Sequence, residues 1–80
     1  MKQLKENKTD NNQIKNTKKF LNGMIYAFNT LDNKESRKLL YLNTKETKKP
    51  WIETYKNLQL DITGVEELFD KVIKDMKVAL

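Results

Sequence analysis

Apolar residues repeat with helical spacing most regularly near the C-terminal end of the chain. The repeating positions are Val65, Leu68, Phe69, Val72, Ile73, Met76 and Leu80. Intervals of three and four residues place such side chains on one face of a helix. Thr63 and Glu66 have the spacing of a capping box, in which each side chain bonds a backbone N–H at the helix start. The pattern predicts a helix over about 63–79.

The segment Lys18–Asp32 supports two different elements. Asn22-Gly23 between apolar residues is a strong hairpin signal, because both residues tolerate the positive φ of a type I′ turn. The apolar residues around this pair nevertheless recur at the spacing of one helical face: Phe20, Leu21, Met24, Ile25, Phe28 and Leu31. A hairpin would need an outgoing strand made mostly of lysine. We therefore expect a helix that includes Gly23, at a cost of about 1 kcal/mol relative to alanine.

The middle of the chain is less regular. Asp32 and Glu35 have capping-box spacing before a short helix, but residues 37–43 equally fit the return strand of a hairpin that turns at 32–35. Residues 20–44 are thus left between helix and hairpin. Pro50 suits the first position of a helix, where its missing N–H costs nothing. Four apolar residues after it share a helical face: Trp51, Ile52, Tyr55 and Leu58. This pattern predicts a helix over 50–58.

The N-terminal segment has few residues that can enter a core. Residues 1–17 contain Met1, Leu4 and Ile14 among lysines and amides, too little apolar surface to offset the entropy of ordering. We expect a flexible basic tail over 1–17 and a single small globular domain over 18–80. The expected fold is mostly α, a small bundle of three to four helices. The alternative is an α+β fold, with a short antiparallel sheet and a C-terminal helix.

The amino-acid composition excludes several common types of catalytic, metal and phosphate-binding site. The 80 residues include neither cysteine nor histidine, and only two glycines. Thiolate and imidazole metal ligands, Cys–His nucleophile pairs and glycine-rich phosphate loops are therefore missing. We expect the chain to have no enzymatic activity, no catalytic residue, no metal site and no cofactor. The longest unbroken apolar run, Met24–Phe28, is far below the roughly 20 residues of a membrane span, and no secretory signal is visible. The expected location is the cytoplasm.

The net charge of +5 is unevenly distributed. Residues 1–19 carry +4, 20–33 carry −1, 34–60 carry +4 and 61–80 carry −2. All basic residues but Arg37 are lysines, and asparagine is abundant, which is typical of AT-rich coding sequence. Base-edge readout relies on arginine forks, so the total charge by itself is weak support for nucleic-acid binding.

One stretch combines basic and aromatic residues, as binding surfaces often do. Its members are Lys45, Lys48, Lys49, Trp51 and Tyr55. Lysines interleaved with aromatic rings suit phosphate contact with base stacking, and Trp and Tyr also anchor protein interfaces. The simpler interpretation is that Trp51 and Tyr55 fill the core while the lysines remain solvated. These five residues are the candidate partner-binding site.

Three functional hypotheses fit these features. The leading one is a non-catalytic intracellular interaction protein, an inhibitor or regulator of the kind that phages, plasmids and other mobile elements encode, which binds a larger protein partner. The alternative is a small basic nucleic-acid-binding protein that uses the tail and the lysines of 34–56. The third is a helical immunity-type protein. The oligomeric state is left open by the sequence.

Overall fold

The chain folds as three helices joined by two short connections. A computed structural model describes the backbone of residues 2–80 and the side chains of residues 12–80. Helix α1 spans Lys2–Thr30, α2 spans Lys34–Asn57 and α3 spans Val65–Ala79. No strand occurs in residues 2–80. The mostly α expectation is confirmed with three helices, and the α+β alternative is wrong for this part of the chain.

The helices run up, down and up, and each pair of them is in contact. Trp51 of α2 meets Thr17 near the start of the packed part of α1, whereas Arg37 at the other end of α2 lies over the ring of Phe28. Arg37 also closes the α1–α2 turn, because its Nε donates to the carbonyl oxygen of Leu31 at 2.7 Å. Within residues 2–80, none of the helices has the length and apolar content needed to cross a bilayer.

The packed part of α1 begins earlier than the predicted domain boundary at residue 18. Gln13 and Thr17 are buried, and the Gln13 side-chain amide donates to the carbonyl oxygen of Asp61 at 3.0 Å. Residues 12–17 therefore belong to the bundle, because Gln13 and Thr17 bond to the α2–α3 connection and to α2, and Ile14 packs against the core. For residues 1–11, the predicted flexible tail lies outside the residues whose side chains are described.

Helix α1 continues through Asn22-Gly23, so the helix predicted for this segment is confirmed and the hairpin is wrong. Leu21 and Phe28 from the predicted apolar face are buried in the core. Gly23 lies on the exposed side of the helix, with open space where a side chain would begin. Burial of the apolar face on α2 and α3 outweighs the local turn preference of the Asn-Gly pair.

Helix α2 is continuous from residue 34 to residue 57, and the predicted helix start at Pro50 is wrong. Pro50 is exposed inside the helix, where a proline normally costs about 3 kcal/mol. Tyr41 and Thr44 before it and Trp51 after it all face the same core. One uninterrupted helix buries side chains on both sides of Pro50, and this burial offsets the lost backbone hydrogen bond.

The starts of α2 and α3 use other residues than the two predicted capping boxes. Asn33 caps α2, its side-chain oxygen accepting from the backbone N–H of Glu35 at 2.7 Å and of Ser36 at 3.3 Å. Helix α3 begins after Gly64, which has a φ of 84° and no side chain to form a cap. Thr63 instead donates its hydroxyl and its backbone N–H to the Asp61 carboxylate. Both capping-box predictions were wrong. Asn33 caps α2 in place of Asp32, and Asp61 accepts the Thr63 hydroxyl that was expected to cap α3.

The glycine at the start of α3 is required on two grounds. Its positive φ is one that L-residues rarely adopt. A Cβ atom there would also lie 3.1 Å from Cδ1 of Ile14 in α1. The predicted apolar stripe of α3 is confirmed, because four of its members are buried and the other three pack against them. The buried members are Val65, Phe69, Val72 and Met76.

Candidate functional site

The five predicted binding residues do not share one surface. Trp51, Tyr55 and Lys48 point towards α1 or α3, whereas Lys45 and Lys49 are exposed. The difference follows from helical geometry, since a step of one residue turns the side chain by about 100° around the axis. A continuous stretch in the sequence therefore divides between a core face and an open face.

Trp51 is the centre of an aromatic cluster between the three helices. Its ring stacks on Phe20, with centroids 4.7 Å apart, and meets Phe69 edge-on at 5.9 Å. Its indole Nε1–H donates to Oγ1 of Thr17 at 2.9 Å. The Thr17 hydroxyl in turn donates a hydrogen bond to the carbonyl oxygen of Gln13 at 2.6 Å. One face of the indole and its polar Nε1–H are thus engaged within the chain. The core interpretation of Trp51 is the one that the geometry supports.

Tyr55 and Lys48 also make intramolecular contacts. The Tyr55 ring packs edge-on against Trp51, with centroids 6.0 Å apart. The Lys48 ammonium lies 2.6 Å from Oδ1 of Asp70 and 3.3 Å from Oε2 of Glu66, so it ties α2 to α3. The hydrogen bond to Asp70 raises the pKa of Lys48, partial desolvation opposes the shift, and Glu66 reinforces it. Lys48 is therefore held as a cation between two helices.

Lys45 and Lys49 border an open groove between α2 and the start of α3, with a volume of about 420 Å³. We call it the lysine groove. Its principal lining residues are Lys45, Lys49, Ile52, Lys56, Ile62 and Glu66, and Lys48 and Glu53 complete it. The aliphatic side chains of Ile52 and Ile62 are half-buried and the three principal lysines are exposed. The result is an apolar floor with a basic rim.

The lysines of this rim keep their charge available. In residues 12–80, both ion pairs with N···O within 4.0 Å use Lys48. Lys45 has a different contact, since its ammonium lies 5.6 Å from the centroid of the Tyr41 ring. Such a contact at an exposed site is worth about 0.5–1 kcal/mol, too little to withhold the ammonium from a carboxylate. Among the side chains of residues 12–80, Lys45, Lys49 and Lys56 thus have no carboxylate partner and can pair with one from a ligand.

Sequence reasoning missed the groove residues Ile52, Ile62 and Lys56 as part of the site. Lys56 and Ile52 lie on the same helical face as Lys45 and Lys49 only if α2 continues through Pro50. The spacing of these four residues, which is four, three and four, was the available signal. Ile62 comes from the α2–α3 connection, and only the packing of α3 brings it beside α2.

Three of the described acidic side chains make contacts that hold the fold together: Asp61, Glu66 and Asp70. No three carboxylates in residues 12–80 come close enough together to hold a metal ion. The pKa of Asp61 lies below its ordinary value, because its carboxylate accepts first the hydroxyl and then the backbone N–H of Thr63. Asp61 thereby shapes the connection that leads into α3 rather than a reactive centre.

Comparison with known proteins gave no further assignment. No protein-family model matches the chain, and neither the curated proteins nor the solved structures include a significant match. The function is therefore inferred from the groove itself.

Proposed function

We propose that this chain is a non-catalytic interaction protein, an inhibitor or regulator that binds a larger protein partner through the lysine groove. The observation that carries the proposal is the combination of an apolar floor, Ile52 and Ile62, with three lysines that form no ion pair within residues 12–80. Protein interfaces join an apolar centre to a polar rim in the same way. The absence of histidine and cysteine from the whole sequence supports a role without catalysis.

The engaged ring of Trp51 favours a protein partner over nucleic acid at this groove. Stacking on bases needs an open ring, yet Trp51 is stacked on Phe20 and bonded to Thr17. The sole arginine, Arg37, is likewise engaged, by the Leu31 carbonyl and the Phe28 ring. The groove thus keeps the charge of a nucleic-acid site without its stacking and base-reading groups.

Affinity capture with matched charge variants tests this function. The full chain is used as bait in host extract with and without nuclease treatment, next to a groove variant and a control variant. The groove variant carries Lys45→Glu, Lys49→Glu and Lys56→Glu. The control carries Lys71→Glu, Lys74→Glu and Lys77→Glu on the exposed side of α3, which changes the net charge by the same amount.

The expected result is a retained protein that the control variant still captures and the groove variant loses, with the helical circular dichroism of both variants unchanged. Equal loss in the two variants would show that only net charge matters, and would contradict the proposal. Captured material that disappears after nuclease treatment would instead support the hypothesis that the groove binds nucleic acid.

A further inference from the structure

We infer, on the basis of the function proposed above, that the lysine groove is one end of a longer surface that binds an acidic amphipathic helix of the partner protein. Six residues of α2 follow one another at intervals of four, three, four, three and four, and we call them the lysine stripe. They are Lys38, Leu42, Lys45, Lys49, Ile52 and Lys56. This is the spacing of a helical seam that accepts a second helix alongside it.

Two open grooves among the described residues follow one another along α2 and this stripe. Lys38 and Leu42 line a groove of about 380 Å³ in the first half of α2, with Glu35 and Leu39. The other four members line the lysine groove in the second half. At 1.5 Å per residue, the stripe from Lys38 to Lys56 is about 27 Å long. A helix of about 18 residues would cover it.

The stripe offers apolar contacts as well as charge. Leu39 and Leu42 are 64% and 38% exposed, values high enough for a partner to gain from covering them. Leu42 and Ile52 are about 15 Å apart along the helix axis. On a partner helix, two side chains on one face have nearly this separation when they are about eleven residues apart. The matching ligand thus has two apolar anchors at that spacing.

Charge complementarity predicts which polar side chains the partner helix carries. Four of the six stripe positions are lysines, and the flexible ammonium groups reach to either side of the seam. Carboxylates that flank the anchors would pair with them. A second copy of the chain is disfavoured as occupant, because stripe-to-stripe packing would oppose lysines to lysines. A phosphate backbone would leave Leu39 and Leu42 uncovered.

Binding of designed peptides to the full chain, followed by fluorescence anisotropy, tests the inference. The first peptide is a labelled helix of about 20 residues, long enough to span the stripe, rich in glutamate, with two leucines eleven positions apart on one face. The second has the same composition, but one leucine is moved to the opposite face. The third keeps both leucines and replaces glutamate by glutamine. A DNA duplex of similar length is the fourth probe.

We expect the first peptide to bind most tightly and the second to lose about tenfold or more in affinity, since one leucine is no longer buried. The third should bind more weakly and lose the salt dependence of the first. In the protein, Lys45→Gln with Lys49→Gln should weaken the first peptide about three- to tenfold. Leu42→Ala should weaken it about threefold or more. The control Lys71→Gln with Lys74→Gln should leave it unchanged.

Each contrary result has a definite meaning. Equal binding of the first two peptides would overturn the anchor spacing, and tighter binding of the duplex than of any peptide would overturn the choice of a protein helix. Self-association that Leu42→Ala abolishes would assign the stripe to a second copy. If no peptide binds but capture still depends on Lys45, Lys49 and Lys56, the helix inference fails and the proposed function stands. If both fail, the groove has neither role.

Discussion

Two faces of α2 have the same spacing, differ by one residue in register, and have opposite environments. The core face carries Tyr41, Thr44, Lys48, Trp51 and Tyr55, and the lysine stripe carries Leu42, Lys45, Lys49, Ile52 and Lys56 in the neighbouring positions. The core face includes Thr44 and the partly exposed Lys48, whereas the open face includes Leu42 and Ile52, of which Ile52 also packs against the core. Average polarity therefore does not explain which face is buried.

The difference lies in whether the polar groups of each face find partners. Thr44 donates its hydroxyl to the Leu40 carbonyl at 2.9 Å, Lys48 pairs with Asp70, and the Trp51 indole donates to Thr17. Among residues 12–80, every buried side-chain nitrogen and oxygen has a hydrogen-bond partner. Burial of a polar group is tolerated when its hydrogen bonds are replaced. On the open face, water supplies the partners of Lys45, Lys49 and Lys56.

Truncation of the aromatic centre should give the largest effect. We expect Trp51→Ala to lower the free energy of unfolding by about 3–5 kcal/mol, because it removes the contacts with Phe20 and Phe69 and leaves a cavity. Urea denaturation followed by circular dichroism measures the change. Trp51→Phe, which retains a ring, is the milder variant if the alanine variant does not fold. A loss below about 1 kcal/mol for Trp51→Ala would mean that the two faces do not differ as described.

Removal of the hydroxyl that accepts the indole proton should have a smaller effect. Thr17→Val keeps the side-chain shape and leaves the Trp51 Nε1–H without its partner, at an expected cost of about 1–2 kcal/mol. The cost should be lower when Trp51→Phe is already present, because the donor is then absent. A double-mutant cycle in urea measures the coupling. Fully additive effects would show that the hydrogen bond makes no contribution.

The ion pair of Lys48 should contribute still less. The Lys48 side chain is 27% exposed and its carboxylate partners are 61% and 56% exposed, so solvent screening leaves at most about 1 kcal/mol. We expect Lys48→Met, which keeps the aliphatic stem, to cost no more than this. Urea denaturation at neutral pH provides the measurement. A loss of several kcal/mol would indicate that the pair is effectively buried.

The same pair predicts a pH dependence with a definite sign. The pKa of Lys48 is raised in the folded protein. The ion pair therefore contributes fully to the free energy of unfolding at any pH below the pKa that Lys48 has in the unfolded chain. The contribution disappears as the pH rises through the folded-state pKa. The stability difference between the wild-type protein and Lys48→Met should therefore be constant at neutral pH and shrink at strongly alkaline pH. A difference that grows with pH would contradict the assignment.

Substitutions on the stripe should affect stability least of all. We expect Lys45→Gln with Lys49→Gln to change the free energy of unfolding by less than about 0.5 kcal/mol, since both side chains are exposed. The same urea measurement applies, and the effect of this variant should instead appear in partner binding. A large loss of stability would remove the distinction between a core face and a binding face.

Part of the candidate site was predictable from local pattern. Lys45 and Lys49 were found because they lie in a basic and aromatic stretch, but Trp51 was grouped with them by sequence proximity. Pro50 was the main obstacle, since local rules place it at the start of a helix and so separate Lys49 from Ile52 and Lys56. Those rules omit the energy gained when side chains on both sides of the proline enter one core.

The apolar period of α3 is unbroken, and it was enough to predict that helix, because a helix is the conformation that gathers such residues on one side. For the helix around Gly23, the same spacing competed with the hairpin signal of Asn22-Gly23 and only favoured the helix. Packing of the three helices, and not local pattern, made α2 continuous, brought Gln13 and Thr17 into the bundle and selected which of two adjacent faces of α2 is buried. These outcomes depend on hydrogen-bond partners and apolar surface that α1 and α3 bring from distant positions in the chain. Local spacing contains no information about such partners.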